Sequence, residues 1–454
     1  MEITRTGQSN ARDPVAAVRE LHGQLARPET ELVVFFCSVE YDLDVIADEV
    51  NRVFAGMTVV GCTTAGEIGP LGYLDGSLSG FSLPSGSFTA VTGRVDDLRH
   101  FTPRQGEALV HALLGRLEAR VLDEAERSTF AFLMIDGLSN REESVARAFQ
   151  HALGRIPSVG GSAGDAGRFA HTHVFSEGSF HEDSAVLVLA ATSLPFITFS
   201  TLHFAGTDRR AVVTEADPET RTVFEIDALP AAEGYARLFG VDPVELGPSF
   251  FAARPVVVRI GSGEYARAVQ NVGADGSLTF FCAIENGVVL RAAHREDLVA
   301  DLKDAFERVR HKLGQPGMVI ACDCILRNLE IEQSGLREQV GEVFRRGCPV
   351  VDRYAGFLGV QLGDLDVGLG RIRTNYFRAK ASQWLAQQAA AAADVEYAQA
   401  LERTRGAGVA AELGGDLIAD IGEPDRIELV QGAELAVGVP PFGGETREAV
   451  DFAL

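Results

Sequence analysis

Two short segments of the chain repeat one pattern of residue types. Residues 57–68 read Met-Thr-Val-Val-Gly-Cys-Thr-Thr-Ala-Gly-Glu-Ile, and residues 156–165 read Ile-Pro-Ser-Val-Gly-Gly-Ser-Ala-Gly-Asp. Each runs from β-formers through tiny or hydroxyl-bearing residues to Ala-Gly and an acid, Glu67 or Asp165. Glycine accepts backbone conformations closed to other residues and lets a second group approach the main chain. The pattern therefore predicts an elbow that turns a buried strand into an exposed backbone at Gly66 and at Gly164. The freed N–H groups, with Thr63, Thr64 and Ser162 beside them, suit a polar ligand. Two elbows predict a binding site assembled from separate parts of the chain.

Two further groups fit that chemistry. Asp136 ends a strand pattern, where α/β folds commonly place ligands, and could orient a ligand amine or simply a neighbouring loop. Arg327 lies just past the apolar run 318–325 and could hold a ligand carboxylate bidentately; the structural alternative is a salt bridge to Glu330. Thr64 or Ser162 as a hydrolytic nucleophile is the enzymatic alternative. That reading lacks both a strand–Ser–helix context and an assignable general base, so catalysis is not expected.

The elements that would position these groups follow from periodicity. Residues 13–26 and 41–54 carry apolar residues at helical spacing, and 31–37 and 57–61 read as buried strands. This strand–helix–strand order predicts parallel pairing. Ser77–Val95 reads as antiparallel strands, 106–119 as a helix and 129–136 as a buried strand. A helix over 142–153 follows, with Ser139 as its N-cap. Segments 173–175, 185–190 and 196–199 read as strands. A second unit carries strands near 255–260, 278–282 and 288–292, a helix over 295–312, a strand over 318–325 and a helix over 331–344. Residues 350–359 resemble a third, altered elbow. The expected organisation is an N-terminal helix in 1–30, a first unit over 31–227, a second over 228–379 and an Ala-rich helix with an acidic tail over 380–454. The fold class is α/β with mixed sheets.

Composition narrows the function. The chain has 454 residues, 46% of them hydrophobic, and a net charge of −23, which argues against non-specific binding to nucleic acid or anionic membranes. No apolar run approaches the roughly 20 residues that span a bilayer. The N-terminal residues lack the apolar core of a signal peptide, so a cytoplasmic location is the expectation. Six cysteines in so long a chain are no disulfide framework. In a strand, Cys322 and Cys324 share one face opposite Asp323, a core pattern rather than a metal site.

Val60-Gly-Cys-Thr-Thr-Ala-Gly-Glu-Ile68 resembles the signature of the N-terminal FIST sensory domain (F-box and intracellular signal transduction). Gly160-Gly-Ser-Ala-Gly-Asp165, Thr172-His-Val-Phe175 and Glu177-Gly178 are similar to its second motif. Cys324-Ile-Leu-Arg327, Ala355-Gly-Phe357 and Thr374-Asn375 resemble the C-terminal half of the family. Where the family continues into Gly-Glu, this chain has Gln361-Leu362. The resemblance implies a signal-input module that binds a small ligand such as an amino acid. Such a module would regulate a separate partner such as a histidine kinase or a cyclic-di-GMP enzyme. It also implies, for some members, haem b and nitric oxide sensing. Haem needs an axial ligand in an apolar slot. His173 is the first candidate and His181 the second, from the group His171, His173 and His181; Cys348-Pro349 is a weaker one. On this reading the elbows, Arg327, Tyr354 and Gly356 line one cavity where the two units meet, and an oligomer is possible.

Overall fold

The computed structural model describes residues 4–121, 128–166, 168, 170–260, 263–347 and, as backbone, 354–359. All of them fall within one compact unit. The side chain of Tyr354, Cys348-Pro349, Gln361-Leu362 and the segments 380–403 and 406–454 lie outside the described residues.

The apolar run Leu32–Cys37 is buried along its whole length because both faces of its sheet are covered. Leu32, Val34 and Phe36 face a core between two sheets, whereas Val33, Phe35 and Cys37 face helices. The strand Ala185–Thr192 is divided in the same way. Its Val186, Val188 and Ala190 enter the inter-sheet core, and Leu187 and Leu189 meet helices on the other side. Four layers result: helix, sheet, sheet, helix.

The helices of the first outer layer are Pro14–Leu25 and Leu43–Val53. Each begins at an aspartate, Asp13 or Asp42, whose carboxylate accepts from free N–H groups of the first turn. Under them lies a six-stranded sheet in the order Arg5–Ser9, Leu78–Pro84, Thr30–Ser38, Thr58–Thr64, Val174–Ser176, Ser179–His181. The second sheet runs Phe88–Val95, Ala185–Thr192, Ser128–Ile135, Ser158–Ser162, under the helices Pro103–Glu118 and Glu142–Leu153. Each sheet contains one parallel pair joined by a crossover helix: Thr30–Ser38 with Thr58–Thr64, and Ser128–Ile135 with Ser158–Ser162. Each elbow follows the second strand of its pair.

The glycines that open the elbows serve close approach. Gly61 lies opposite Phe35, and Gly160 opposite Leu133. A Cβ would stand 2.5 Å from the Phe35 carbonyl oxygen in the first case and 2.0 Å from that of Leu133 in the second. Gly66, at φ 146°, is where a backbone conformation foreign to other residues is used.

Beyond the sandwich, an antiparallel eight-stranded sheet is centred on the long strand Phe204–Asp217 and packed by the helices Ala231–Phe239 and Pro248–Ala253. A further four-stranded sheet joins the two halves of the sequence. Val319–Cys324 pairs in parallel with Tyr354–Gly359, which pairs antiparallel with Glu67–Gly69, whose hairpin partner is Gly72–Leu74. The first elbow thus runs straight into a strand that meets the third: Ile68 opposes Gly356 and Glu67 opposes Phe357. The helices Leu298–Leu313 and Arg337–Gly347 cover this sheet around Ile68.

Four expectations are corrected. The residues before position 30 include a strand, Arg5–Ser9, beside the expected helix. Ser77–Val95 supplies two strands that do not pair with each other, since Leu78–Pro84 joins the first sheet and Phe88–Val95 the second. Ser139 is not an N-cap: its hydroxyl donates to the Asp136 carbonyl, and the helix begins at Glu142. Residues 196–199 form no strand but part of an extended strap between Thr192 and Phe204. Among the described residues, no helix is long and apolar enough to cross a membrane.

Gly160→Ala is expected to destabilise the fold by about 2–3 kcal/mol, because the methyl group meets backbone that cannot yield. Gly23→Ala, in an exposed helical position with nothing within 4 Å of the new Cβ, should be neutral or stabilising by under about 1 kcal/mol. Denaturant unfolding of the two variants decides the matter; equal midpoints would refute the close-approach account.

Candidate functional site

The elbows do meet, but inside the protein. The Gly164 N–H donates to the Thr63 carbonyl at 2.9 Å, and the Thr63 hydroxyl accepts from the His173 N–H at 2.9 Å. Thr63, Thr64, Glu67 and Ser162 are fully buried and Asp165 nearly so. The expectation of exposed backbone open to a ligand is therefore overturned. The cause is the hairpin after the first elbow, which is drawn into a sheet with the C-terminal half instead of turning out to solvent.

Among the described residues, Glu67 is held without a cation. Its carboxyl accepts from the Ser77 N–H at 2.9 Å and the Ser77 hydroxyl at 2.7 Å, and it touches the Thr64 hydroxyl. The Thr64 oxygen also lies 3.0 Å from the Cys37 carbonyl. One hydroxyl proton cannot serve both acceptors. A protonated Glu67 resolves this by donating to Thr64, which then donates to Cys37. Burial pushes the Glu67 carboxyl up to about 7, which favours that proton.

Asp136 organises loops. Its carboxylate accepts from the Leu138 N–H at 2.9 Å, the Asp183 N–H at 2.5 Å and the Thr172 hydroxyl. Asp165 likewise accepts from the N–H groups of Ala170 and His171 at 2.6 and 3.2 Å. Ser162 has a buried hydroxyl with no hydrogen-bond partner among the described residues.

The histidines offered as axial haem ligands have neighbours of their own, apart from His173 Nδ1, which is buried and bonds to no described residue. His181 Nε2 lies 2.7 Å from an Arg94 guanidinium nitrogen and 2.9 Å from the Ser179 hydroxyl. His173 Nε2 faces Glu182 at 3.3 Å, and its ring edge meets Phe180. Burial holds the His173 imidazole below its usual range, although Glu182 and Asp136 act the other way. His171 is exposed and pairs with Glu182. None of the three lines the cavity described next. Among the described residues, no group of three or more His, Cys, Asp or Glu side chains could hold a metal ion.

That cavity, of about 450 Å³, lies where the expected second unit meets the sandwich. One wall comes from sandwich strands, at Leu83, Phe88, Phe130 and Val159. The strap 194–201 supplies another, and the helix Leu298–Leu313 with the segment 315–323 supplies the rest. Most of the lining is apolar, and a charged pair marks one end. Arg327 Nε faces Asp323 at 3.5 Å, and Arg327 donates to the Thr201 hydroxyl. Tyr73, from the first elbow's hairpin, donates to Asp323 at 3.3 Å. Burial raises the Asp323 carboxyl, with Arg327 the main counterweight.

Of the candidates read from sequence whose side chains are described, Arg327 alone lines this cavity. Glu330, its expected alternative partner, is engaged elsewhere, at 2.7 Å from His203 and 3.0 Å from Arg295. Gly356 pairs opposite Ile68. Sequence reasoning missed Asp323, Thr201 and the strap. The available signal for Asp323 is strand alternation, which sets it on the face opposite Cys322 and Cys324. Nothing in the strap's composition set it apart from a meander strand.

Residues 31–229 match the FIST N domain, and residues 231–358 match the FIST C domain. No curated protein matches the chain.

The Glu67 geometry has a pH consequence. Its folded value near 7 exceeds the ordinary 4.5, so the stability it confers is fully present below pH 4.5 and is lost as pH rises to about 7. The loss is of order 3 kcal/mol. Glu67→Gln should remove that part of the pH profile and be more stable than the wild type at pH 8. Urea unfolding at pH 4.5, 6 and 8 tests this; parallel profiles for the two proteins would refute it.

Proposed function

The chain belongs to the FIST family, whose domains are signal-transduction sensors, and on that premise we propose that it is a signal-input protein whose small-molecule ligand occupies the cavity at residues 194–201 and 315–327. The observation that carries this reading is the cavity itself: a largely apolar space lined by residues of both family domains, with one guanidinium at its end. Pockets of this size and character are the usual form of a small-molecule site.

A ligand there touches elements of both domains at once. It shifts an equilibrium only if it binds one arrangement of the walls better than another. The strap is the element best placed to respond, since it bridges the sandwich and the large sheet and its Thr201 hydroxyl accepts from Arg327. The output would be read by a separate signalling protein, such as a histidine kinase or a cyclic-di-GMP enzyme.

Binding is favoured over turnover by the positions of the hydroxyls. Thr64 is engaged by Cys37 and Glu67, and neither it nor Ser162 faces the cavity. The haem-based, nitric-oxide-sensing alternative finds no comparable support, because neither His173 nor His181 lines the cavity and the Nε2 atom of each already faces Glu182 or Arg94 and Ser179.

A thermal-shift screen of metabolites against the full chain tests the proposal. A ligand at a hundredfold excess over its Kd should raise Tm by a few degrees. Ala321→Phe, which fills part of the cavity, should cancel that rise. A screen with no hit, or a rise that survives the substitution, would sink the cavity reading. A Soret band in the purified protein that vanishes in His173→Ala would replace it with the haem reading.

A further inference from the structure

We propose that the ligand class of this cavity is an amphipathic monocarboxylic acid, its carboxylate received by Arg327 and its apolar body by the phenylalanine-lined wall. The inference rests on the cavity reading above and adds the chemistry of the ligand.

Three observations carry it. First, Arg327 is nearly buried, and its donors are under-used. One guanidinium N–H goes to Thr201, and Nε faces Asp323 at 3.5 Å, longer than an ordinary charge-assisted hydrogen bond. Among the described residues, no other acceptor is bonded to this guanidinium, so N–H groups remain for a planar anion. Second, the strap brings hydroxyl groups to the lining: Thr201, bonded to Arg327, and Thr198 and Ser200 on the same strap. Third, the remainder is apolar, with Phe88, Phe130, Phe196, Phe199 and Phe306 among the lining side chains. An anionic head on an apolar body matches both ends.

A zwitterion matches less well. An ammonium needs several acceptors, and among the described residues Asp323 is the one carboxylate in the lining. Its oxygens already accept from the Cys324 N–H at 3.1 Å and the Tyr73 hydroxyl at 3.3 Å and face Arg327. Glu330, nearby on the helix Ile325–Gln333, is committed to His203 and Arg295. In this arrangement Asp323 is a resident anion that competes with the ligand's carboxylate for Arg327. Removing it should help an acid and hurt an amino acid.

Isothermal titration of the full chain with decanoate, decanamide, 1-decanol and phenylalanine tests the inference. Decanoate should bind at least about tenfold more tightly than decanamide or 1-decanol. Arg327→Gln should remove that margin while leaving decanamide binding intact, which also reports that the variant is folded. Asp323→Asn should tighten decanoate. Equal binding of the acid and its neutral analogues overturns the ligand class and leaves the cavity reading standing. Tighter binding of phenylalanine, weakened by Asp323→Asn, overturns it in favour of a zwitterion. Decanoate binding that persists unchanged in Ala321→Phe, or no binding by any probe, overturns the cavity reading as well.

Discussion

Pairing of Glu67 and Ile68 with Gly356 and Phe357 places a carboxyl group in the protein interior with no cation beside it among the described residues. Isolated buried carboxylates are expensive, and the group responds by keeping its proton. The hairpin that carries Glu67 then reaches across to the C-terminal half. Its Tyr73 donates to Asp323, Asp323 faces Arg327, and Arg327 bonds Thr201 of the strap. The first elbow therefore positions the cavity's charged end although none of residues 57–68 lines the cavity. The small residues at 61–66 serve this arrangement by letting strands and hairpin pack without side chains between them.

The same junction is fixed elsewhere by buried ion pairs. Arg221, in the turn between two strands of the large sheet, bonds Glu142 and Glu143 at the start of a sandwich helix and the Phe281 carbonyl. Two acids share one buried cation, and burial pushes Glu142 up to about 7. The His203–Glu330–Arg295 set ties the end of the strap to the helix after Asp323. Such groups add little net stability over apolar replacements, yet removing one partner strands the other in the interior. They are geometrically demanding contacts, and they restrict how the sandwich and the large sheet can sit against each other.

Most of the local structure was legible because burial on both faces leaves long apolar runs, as in Leu32–Cys37, and helix starts carry Asp or Pro. The meeting of the two elbows was legible too, since equivalent motifs follow equivalent parallel strands. What it meant was not. An elbow rich in Gly, Thr and an acid reads alike whether it faces solvent or a neighbouring strand. The outcome was decided by a strand almost 290 positions further on, at Gly356 and Phe357. The division of Ser77–Val95 between two sheets is non-local in the same way, because alternation reports faces and not partners. The cavity was hardest to foresee. Its walls come from segments scattered between Thr4 and Phe344, most of them ordinary core residues by type. Arg327 was recoverable because a cation just past a buried strand is unusual in any setting.

The strap explains how a ligand in such a space has something to act on. Among the described residues, no backbone hydrogen bond ties residues 195–202 to other backbone groups. Side chains hold it instead. Phe196 packs edge-on against Phe130 of the sandwich, Phe199 against Phe306 of the helix Leu298–Leu313, and Thr201 accepts from Arg327. Each contact goes to a different wall of the cavity. Side-chain contacts of this kind are individually weak and exchangeable, unlike a strand ladder, whose hydrogen bonds break only together. A molecule that takes over Arg327, or inserts beside Phe196 and Phe199, replaces the contacts that position the strap and leaves both flanking sheets intact. The change in free energy is then confined to the one segment joining the sandwich to the large sheet, and differential binding can do useful work there without unfolding either.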